Sequence, residues 1–525
     1  MGKRIGIVGA GISGLLACKH TMEMGFDPIV FEAKGSVGGV WSQTIESTKL
    51  QTPKFFYQFS DFPWPKTVKE TFPDHDQVLE YIRSYAIHFD ILPRVKFGCK
   101  VAEIEYVNAS EGEMVSWDLW GGTGDPFSPV GRWNVTVENS LDPSAPAEVH
   151  ELDFVILCIG KFSDLPNVPD FPLNKGPEVF HGKVLHSMDY AAMDDVSAAD
   201  LVRNKRVAVI GFQKSAVDLA AEISGRNGKN HPCTLLFRTV HWTVPDYLLK
   251  QNIKSLNRFS ELMIHKPGEG FFTWLLALLL TPLLWIFAIF IESYLKWTYP
   301  LRKYDMVPSH GYLKQIFSCM VTILPANFYD KVKEGSIVLK KMSSFSFSKD
   351  GLVVHGKEKD DRVPTDVVIF ATGYKSDQKL KNVFRSTYFK KCIIGSSAPL
   401  YRECIHPRIP QVAILGYADS PSILYTTEMR SKWVAHFLAA KFKLPTIQKM
   451  VEDMSMWEKT MRRYDRGSYK RSCVSVMLQI HFNDLLCKDM GYSPNRKRWF
   501  LPELFDPYTP DDYKNLSPQR SSSVA

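Results

Sequence analysis

Three glycines carry the clearest chemistry in this 525-residue chain. They stand in the run Gly9-Ala10-Gly11-Ile12-Ser13-Gly14, directly after the apolar stretch Ile5-Gly6-Ile7-Val8. A strand that turns sharply into a helix at such a run presents backbone N–H groups to a pyrophosphate. The first glycine makes the turn, the second lets the phosphate approach, and the third lets helix and strand pack closely. Glu32 closes the next apolar stretch, Ile29-Val30-Phe31, where a carboxylate accepts hydrogen bonds from a ribose 2′-OH. The same carboxylate repels a 2′-phosphate, so this first site suits FAD or NAD.

A second turn follows Val207-Ala208-Val209-Ile210, in the run Gly211-Phe212-Gln213-Lys214-Ser215-Ala216. Alanine is an accepted third small residue, but Gln213 adds a side chain where the pyrophosphate would approach. Three readings are open: Lys214 or Ser215 acts as a phosphate donor in compensation, the loop sits further from the cofactor, or the turn is structural. The next strand, Thr234-Leu235-Leu236-Phe237, ends in Arg238 instead of an acid. A cation there suits a 2′-phosphate and favours NADP over NAD.

These groups need parallel strands to position them. Phe154-Val155-Ile156-Leu157, leading to Gly160, and Val367-Val368-Ile369-Phe370, leading to Thr372 and Gly373, read as strands returning to the two units, with glycine ends that let backbone meet a ligand. Residues 107–150 suit a small antiparallel excursion. The expected fold class is α/β, with two Rossmann-like dinucleotide-binding domains, the NADP domain inserted into the FAD domain. The expected boundaries are 1–170 for the first part of the FAD domain, 171–200 for a linker, 201–335 for the NADP domain with an apolar insertion at 270–295, 336–510 for the second part of the FAD domain, and 511–525 for a disordered tail.

Composition narrows the classes. A net charge of +8, with Arg496-Lys497-Arg498 as its one basic tract, gives nucleic-acid binding no support. Nine cysteines without C-x-x-C or zinc-like spacing suggest a reduced intracellular chain with no structural metal. The closest pair in sequence, Cys392 and Cys404, lies far from the first turn, which argues against a disulfide reductase. The first strand starts close to Met1, so no signal peptide is expected. From Phe271 to Ile291 the chain has no charge, a length sufficient to cross a bilayer. Pro282 near its middle suggests two short helices, either lying at a membrane surface or packed as a buried pair.

Phe180, Gly182, His186 and Tyr190 fit the pattern F-x-G-x-x-x-H-x-x-x-Y just before the second turn. With Gly38-Gly39-Val40-Trp41, Phe59-Ser60-Asp61-Phe62-Pro63 and Phe370-Ala371-Thr372-Gly373-Tyr374, the chain resembles the flavin-containing monooxygenases from about Arg4 to Arg498. It is most similar to plant members that N-hydroxylate small amines such as pipecolate. The resemblance implies FAD reduced by NADPH, addition of O₂ at the flavin C4a position to give a hydroperoxide, and oxygen transfer to a small amine or cyclic amino acid. S-oxygenation of a thioether is the alternative, as is a catalytically weak membrane-associated FAD-binding protein. An FAD oxidase would leave Arg238 unexplained.

Many relatives place an asparagine nine residues before the serine of S-D-F-P, and here that position is Gln51, with the same amide one methylene further out. Gln51 is the catalytic candidate; an amide satisfying local backbone is its competing role. His186 and Tyr190 read as a structural tie of the linker. The expected location is the cytoplasm, at the cytosolic face of the endoplasmic reticulum if 271–291 meets lipid.

Overall fold

The computed structural model describes residues 2–356, 360–393, 399–420, 423–465, 473 and 477–519. Along the chain, the elements that build the site begin with β1 (Ile5–Val8), α1 (Ile12–Glu23) and β2 (Ile29–Phe31), followed by β3 (Phe154–Leu157) and β4 (Lys183–His186). The second unit supplies β5 (Val207–Ile210), α2 (Lys214–Asn227) and β6 (Cys233–Phe237), then α3 (Arg258–Leu262) and α4 (Phe271–Thr298). β7 (Ile337–Lys341), β8 (Val367–Phe370), β9 (Val412–Ile414), α5 (Ile423–Leu438) and α6 (Phe500–Phe505) follow.

Two five-stranded parallel sheets result. The first runs β9-β3-β1-β2 and ends on Val95–Lys96; the second runs β7-β6-β5-β8-β4. Every residue of β1, β3, β5 and β8 is buried, as expected of unbroken apolar runs covered on both faces. β1 and β5 each sit inside their sheet, joined through a helix to the strand on one side and paired with a returning strand on the other. That is where an open parallel sheet leaves a crevice beyond its strand ends for a ligand. The excursion is present as the antiparallel strands Cys99–Val107, Arg132–Asn139 and Glu148–Leu152.

Three expectations change. The second sheet takes β4 from the supposed linker, and β7 and β8 from beyond residue 335, because an apolar run does not reveal which of two parallel sheets it will join. The tail from 511 is ordered as far as it is described: Tyr513 is fully buried, and the Ser493 N–H donates to the Ser517 carbonyl at 2.9 Å. Residues 520–525 lie outside the described residues. The apolar segment is neither two helices nor a buried pair. It is one 28-residue helix, α4, with Pro282 inside it. A stripe of Ala277, Leu284, Ala288, Ile291 and Leu295 is buried against the protein, and most of the other large side chains face outward.

Candidate functional site

At the first turn the glycines are sterically enforced. Gly9 has φ +100°, and a Cβ on it would lie 2.6 Å from the Cys158 carbonyl oxygen; a Cβ on Gly14 would lie 1.8 Å from the Gly9 carbonyl oxygen. Gly11 needs no unusual φ, but it faces Gly39, whose Cα would be 3.4 Å from an added Cβ. The Gly38 N–H donates to the Ala10 carbonyl at 3.1 Å. Two stretches of bare backbone thus oppose each other. No side chain caps Gly11, so the first N–H groups of α1, beginning at Ile12 and Ser13, are available to an anion. Glu32 is 8% exposed, and its two carboxylate oxygens accept the Ala10 N–H at 2.6 Å and the Lys34 N–H at 2.9 Å. This fixes the acid at the tip of β2 beside the turn. A further glycine belongs here: Gly416, φ +82°, would place a Cβ 2.5 Å from Ser13 Oγ. Its sequence context, a lone Leu-Gly-Tyr after a short strand, gave no motif to find it by.

The second turn repeats the geometry with a different tolerance. Gly211 has φ +141°, and a Cβ there would lie 2.4 Å from the Ala371 carbonyl oxygen. Ala216 is buried beneath it. Gln213 precedes α2 with φ −103° and ψ −173°, close to the φ −75° and ψ −176° of Gly11, so its backbone does not require glycine. Where Gly11 meets Gly39, Gln213 meets open space. Lys214 is not a free phosphate donor, since its Nζ is bonded at 2.6 Å to Oδ1 of Asp218, whose carboxyl burial pushes up. We expect Gln213→Gly to leave the KM for NADPH within about threefold. A titration of flavin reduction rate against NADPH checks this.

A cavity of about 1230 Å³ joins the two units. Gly211, Phe212, Gln213, Lys214, Ser215 and Arg238 line it from one side, Trp41 and Gln51 from the other, with Thr372 and Gly373 between. Gly9, Ala10, Gly11, Ile12, Ser13, Gly14, Glu32 and Gly39 are outside that lining and form the cradle of the first unit. Arg238 is exposed at the tip of β6 and has no ion pair among the described residues. Trp41 is held by donation from its Nε1 to the Tyr57 hydroxyl at 3.0 Å. Gln51 is exposed, and its amide has no hydrogen bond among the described residues, so it does not satisfy local backbone. Its segment is anchored at both ends. The Leu50 N–H donates to the Pro73 carbonyl, and Ser60 donates from its N–H and its hydroxyl to the buried Glu428 of α5 at 2.9 and 2.5 Å. Thr372 and Gly373 are occupied by the crossing chain: the Asn167 N–H donates to the Gly373 carbonyl at 2.8 Å, and the Thr372 hydroxyl donates to the Asn167 carbonyl.

His186 and Tyr190 tie elements together. The His186 Nδ1 accepts the Met188 N–H at 3.1 Å, and its ring sits 5.3 Å from that of Tyr374 at the tip of the neighbouring strand. Burial holds this imidazole below its ordinary pKa, hence neutral at pH 7. Tyr190 donates from its hydroxyl to Glu222 of α2 at 3.0 Å.

Residues 2–507 match the model of a family described as flavin-binding monooxygenase-like. The chain belongs to that family. It is 41% identical over 522 residues to an Arabidopsis thaliana protein named probable flavin-containing monooxygenase 1, covering 97% of this chain and 96% of that one. Among solved structures, it resembles an S-allyl-L-cysteine S-oxygenase from Allium sativum with a TM-score of 0.58 and 19% identity, over 94% of this chain and 89% of that one. A cyclohexanone monooxygenase variant from Rhodococcus, solved with NADP⁺ bound, gives 0.65 and 17%, over 93% and 97%.

For a flavin-containing monooxygenase, the residues present fit both nucleotides. The glycine turn, with the uncapped first N–H groups of α1 and Glu32 at the tip of β2, fits FAD, and the cavity wall from Gly211 to Arg238 fits NADP. One expectation is corrected at the cavity edge. Cys319, which lines it, is disulfide-bonded to Cys473 with a Cα–Cα distance of 5.9 Å. Their separation of 154 positions along the chain left no spacing signal, so a wholly reduced set of cysteines does not describe the molecule. Asp419 lies beside the pair, but bridged sulfurs do not bind an ion as thiolates do.

Proposed function

We propose that the protein is an NADPH- and O₂-dependent monooxygenase that N-hydroxylates a small amine or a cyclic amino acid. The observation that carries this reading is the cavity that Gln51 from the first unit and Arg238 from the second line from opposite sides. Bound FAD, once reduced by NADPH, supplies the oxygen-activating chemistry. The chain holds the two nucleotides, excludes water and directs hydrogen bonds. Glu32 and the α1 N–H groups hold the FAD end. Arg238, with no carboxylate to neutralise it among the described residues, would meet the 2′-phosphate of NADP. Gln51 offers an uncommitted amide N–H to the reacting oxygen or to the nicotinamide carboxamide. S-oxygenation of a thioether is the second reading, supported by the likeness to the Allium sativum enzyme. The same proposal sets the protein at the cytosolic face of a membrane, the endoplasmic reticulum in particular, with the outward face of α4 as its support.

The test is anaerobic reduction of the purified yellow protein by NADPH or NADH, followed by O₂ with an amine or a thioether present. Faster reduction by NADPH and a product heavier by one oxygen on nitrogen support the proposal. Oxygen on sulfur alone favours the second reading, and no reduction by NADPH sinks both. Gln51→Ala should keep NADPH oxidation while product per NADPH falls roughly tenfold and hydrogen peroxide rises. Unchanged coupling would return Gln51 to a passive role.

A further inference from the structure

The side of α2 that begins in the cavity continues past it. Lys214 and Asp218 line the cavity, and Glu222 and Arg226 follow at four-residue steps along the same side of the helix. Each step is about 6 Å, so Glu222 stands one turn beyond the cavity wall. Its carboxylate is only 7% exposed. One oxygen accepts the Ser47 hydroxyl at 2.6 Å and the Ser47 N–H at 3.3 Å; the other accepts the Tyr190 hydroxyl at 3.0 Å and the Arg226 guanidinium at 3.4 Å. Arg226 also pairs with Glu46 at 2.7 Å. Glu222 thus gathers the first unit, through Ser47, and the segment that crosses between the units, through Tyr190, onto the helix that opens the second nucleotide turn.

We propose that Glu222 is a positioning residue for oxygenation: it clasps residues 44–51 of the first unit to α2 of the second, and so holds that segment, Gln51 included, in its place on the cavity wall. The part played by Gln51 rests on the function proposed above. Residues 44–51 form a stiff piece. The Thr48 N–H donates to the Ile45 carbonyl at 3.0 Å, and the Thr44 and Thr48 hydroxyls are 3.0 Å apart. The His75 N–H on the Thr48 carbonyl and the Leu50 N–H on the Pro73 carbonyl pin its far end to the first unit. Thr44, Ile45, Thr48 and Gln51 all line the cavity.

Two kinds of contact join this piece to the second unit, and they do different work. Ile45 is buried in the same apolar cluster as Leu219 and Ala220 of α2. Apolar burial is non-directional, so it resists separation of the units without fixing their register. The hydrogen bonds from Ser47 to a buried carboxylate are directional and do fix it. The Glu46–Arg226 pair is more exposed and adds less. Ser47 and Gln51 are four residues apart, at most about 14 Å of chain, so a shift at the clasp reaches the Gln51 amide. The donors to Glu222 include neither the first glycine turn nor Arg238, so loosening the clasp leaves both nucleotide sites in place and disturbs what lies between them.

The test uses the full-length FAD-bound protein. Without NADPH, Glu222→Ala should speed hydrogen exchange of the Ser47 and Thr48 amides at least about tenfold, while amides of α1 keep their protection. In air with NADPH and no substrate, peroxide release should rise at least about tenfold, and the half-saturation of anaerobic flavin reduction by NADPH should stay within about threefold. Glu222→Gln, which still offers an amide oxygen to Ser47, should keep peroxide release within about threefold of the unaltered protein. Ser47→Ala removes an exposed hydroxyl without threatening the fold and should raise peroxide about threefold. In a Gln51→Ala background, Glu222→Ala should add no more than about twofold. Unchanged exchange at Ser47 and Thr48 overturns the clasp. Faster exchange with unchanged peroxide overturns the positioning role and leaves a structural tie. A rise in peroxide with Glu222→Ala but none with Gln51→Ala overturns the Gln51 reading alone, and the clasp then acts through Thr44, Ile45 and Thr48 on the same wall.

Discussion

Gly14→Ala is expected to yield a protein that purifies without its yellow colour, or that fails to accumulate at all. The added methyl carbon would lie 1.8 Å from the Gly9 carbonyl oxygen, far inside van der Waals contact. Gly9 has no room to yield. Its N–H is bonded to the Phe31 carbonyl at 2.8 Å, and its own Cα hydrogen position faces the Cys158 carbonyl at a distance where a Cβ would be 2.6 Å away. The strain must move the start of α1, and with it Leu15 and Leu16, which are wholly buried. Overpacking of this kind costs about 3 kcal/mol or more when backbone is the neighbour. The ratio of flavin to protein absorbance should fall at least about tenfold, and the melting temperature should drop with it. A variant that retains stoichiometric flavin would show that the turn is not the nucleotide cradle. Ala216→Gly at the second turn is the control. There the Ala216 Cβ would be 3.4 Å from a Cβ built on Gly211, an ordinary contact, so a change of no more than about 1 kcal/mol is expected.

Arg238→Ala should discriminate between the two nicotinamide cofactors. The side chain is exposed on the cavity wall without an ion-pair partner among the described residues, so its removal leaves no orphaned acid behind. What is lost is a charge-assisted contact to a 2′-phosphate, worth about 2–3 kcal/mol. That corresponds to roughly 30- to 150-fold weaker NADPH. NADH, which lacks the phosphate, should change by no more than about threefold. The half-saturation of anaerobic flavin reduction measures both, and equal effects on the two cofactors would remove Arg238 from the assignment.

Much of this site was legible because its constraints are local. Gly9 and Gly211 must adopt a positive φ, Glu32 and Arg238 must close a strand, and each of these writes a recognisable residue at a fixed offset. The doubt raised by Gln213 could not be resolved that way. Whether a side chain is tolerated there depends on what stands opposite, and that is a matter of the cavity, not of the turn. Contacts between distant segments were equally hidden. Cys319 and Cys473, Ser60 and Glu428, or the approach of Gly416 to Ser13 leave no periodicity. The shape of α4 was misread for a related reason: Pro282 argues for a break, but a long apolar helix packed on one side absorbs it.

The contrast between Gly11 and Gln213 bears on how each nucleotide would exchange. At Gly11 the Gly38-Gly39 backbone packs directly on the turn, so FAD seated there would be flanked by the chain's own backbone. At Gln213 the turn faces a cavity of about 1230 Å³. NADP on that side would be the nucleotide with room to arrive reduced and depart oxidised, as a diffusible hydride donor must.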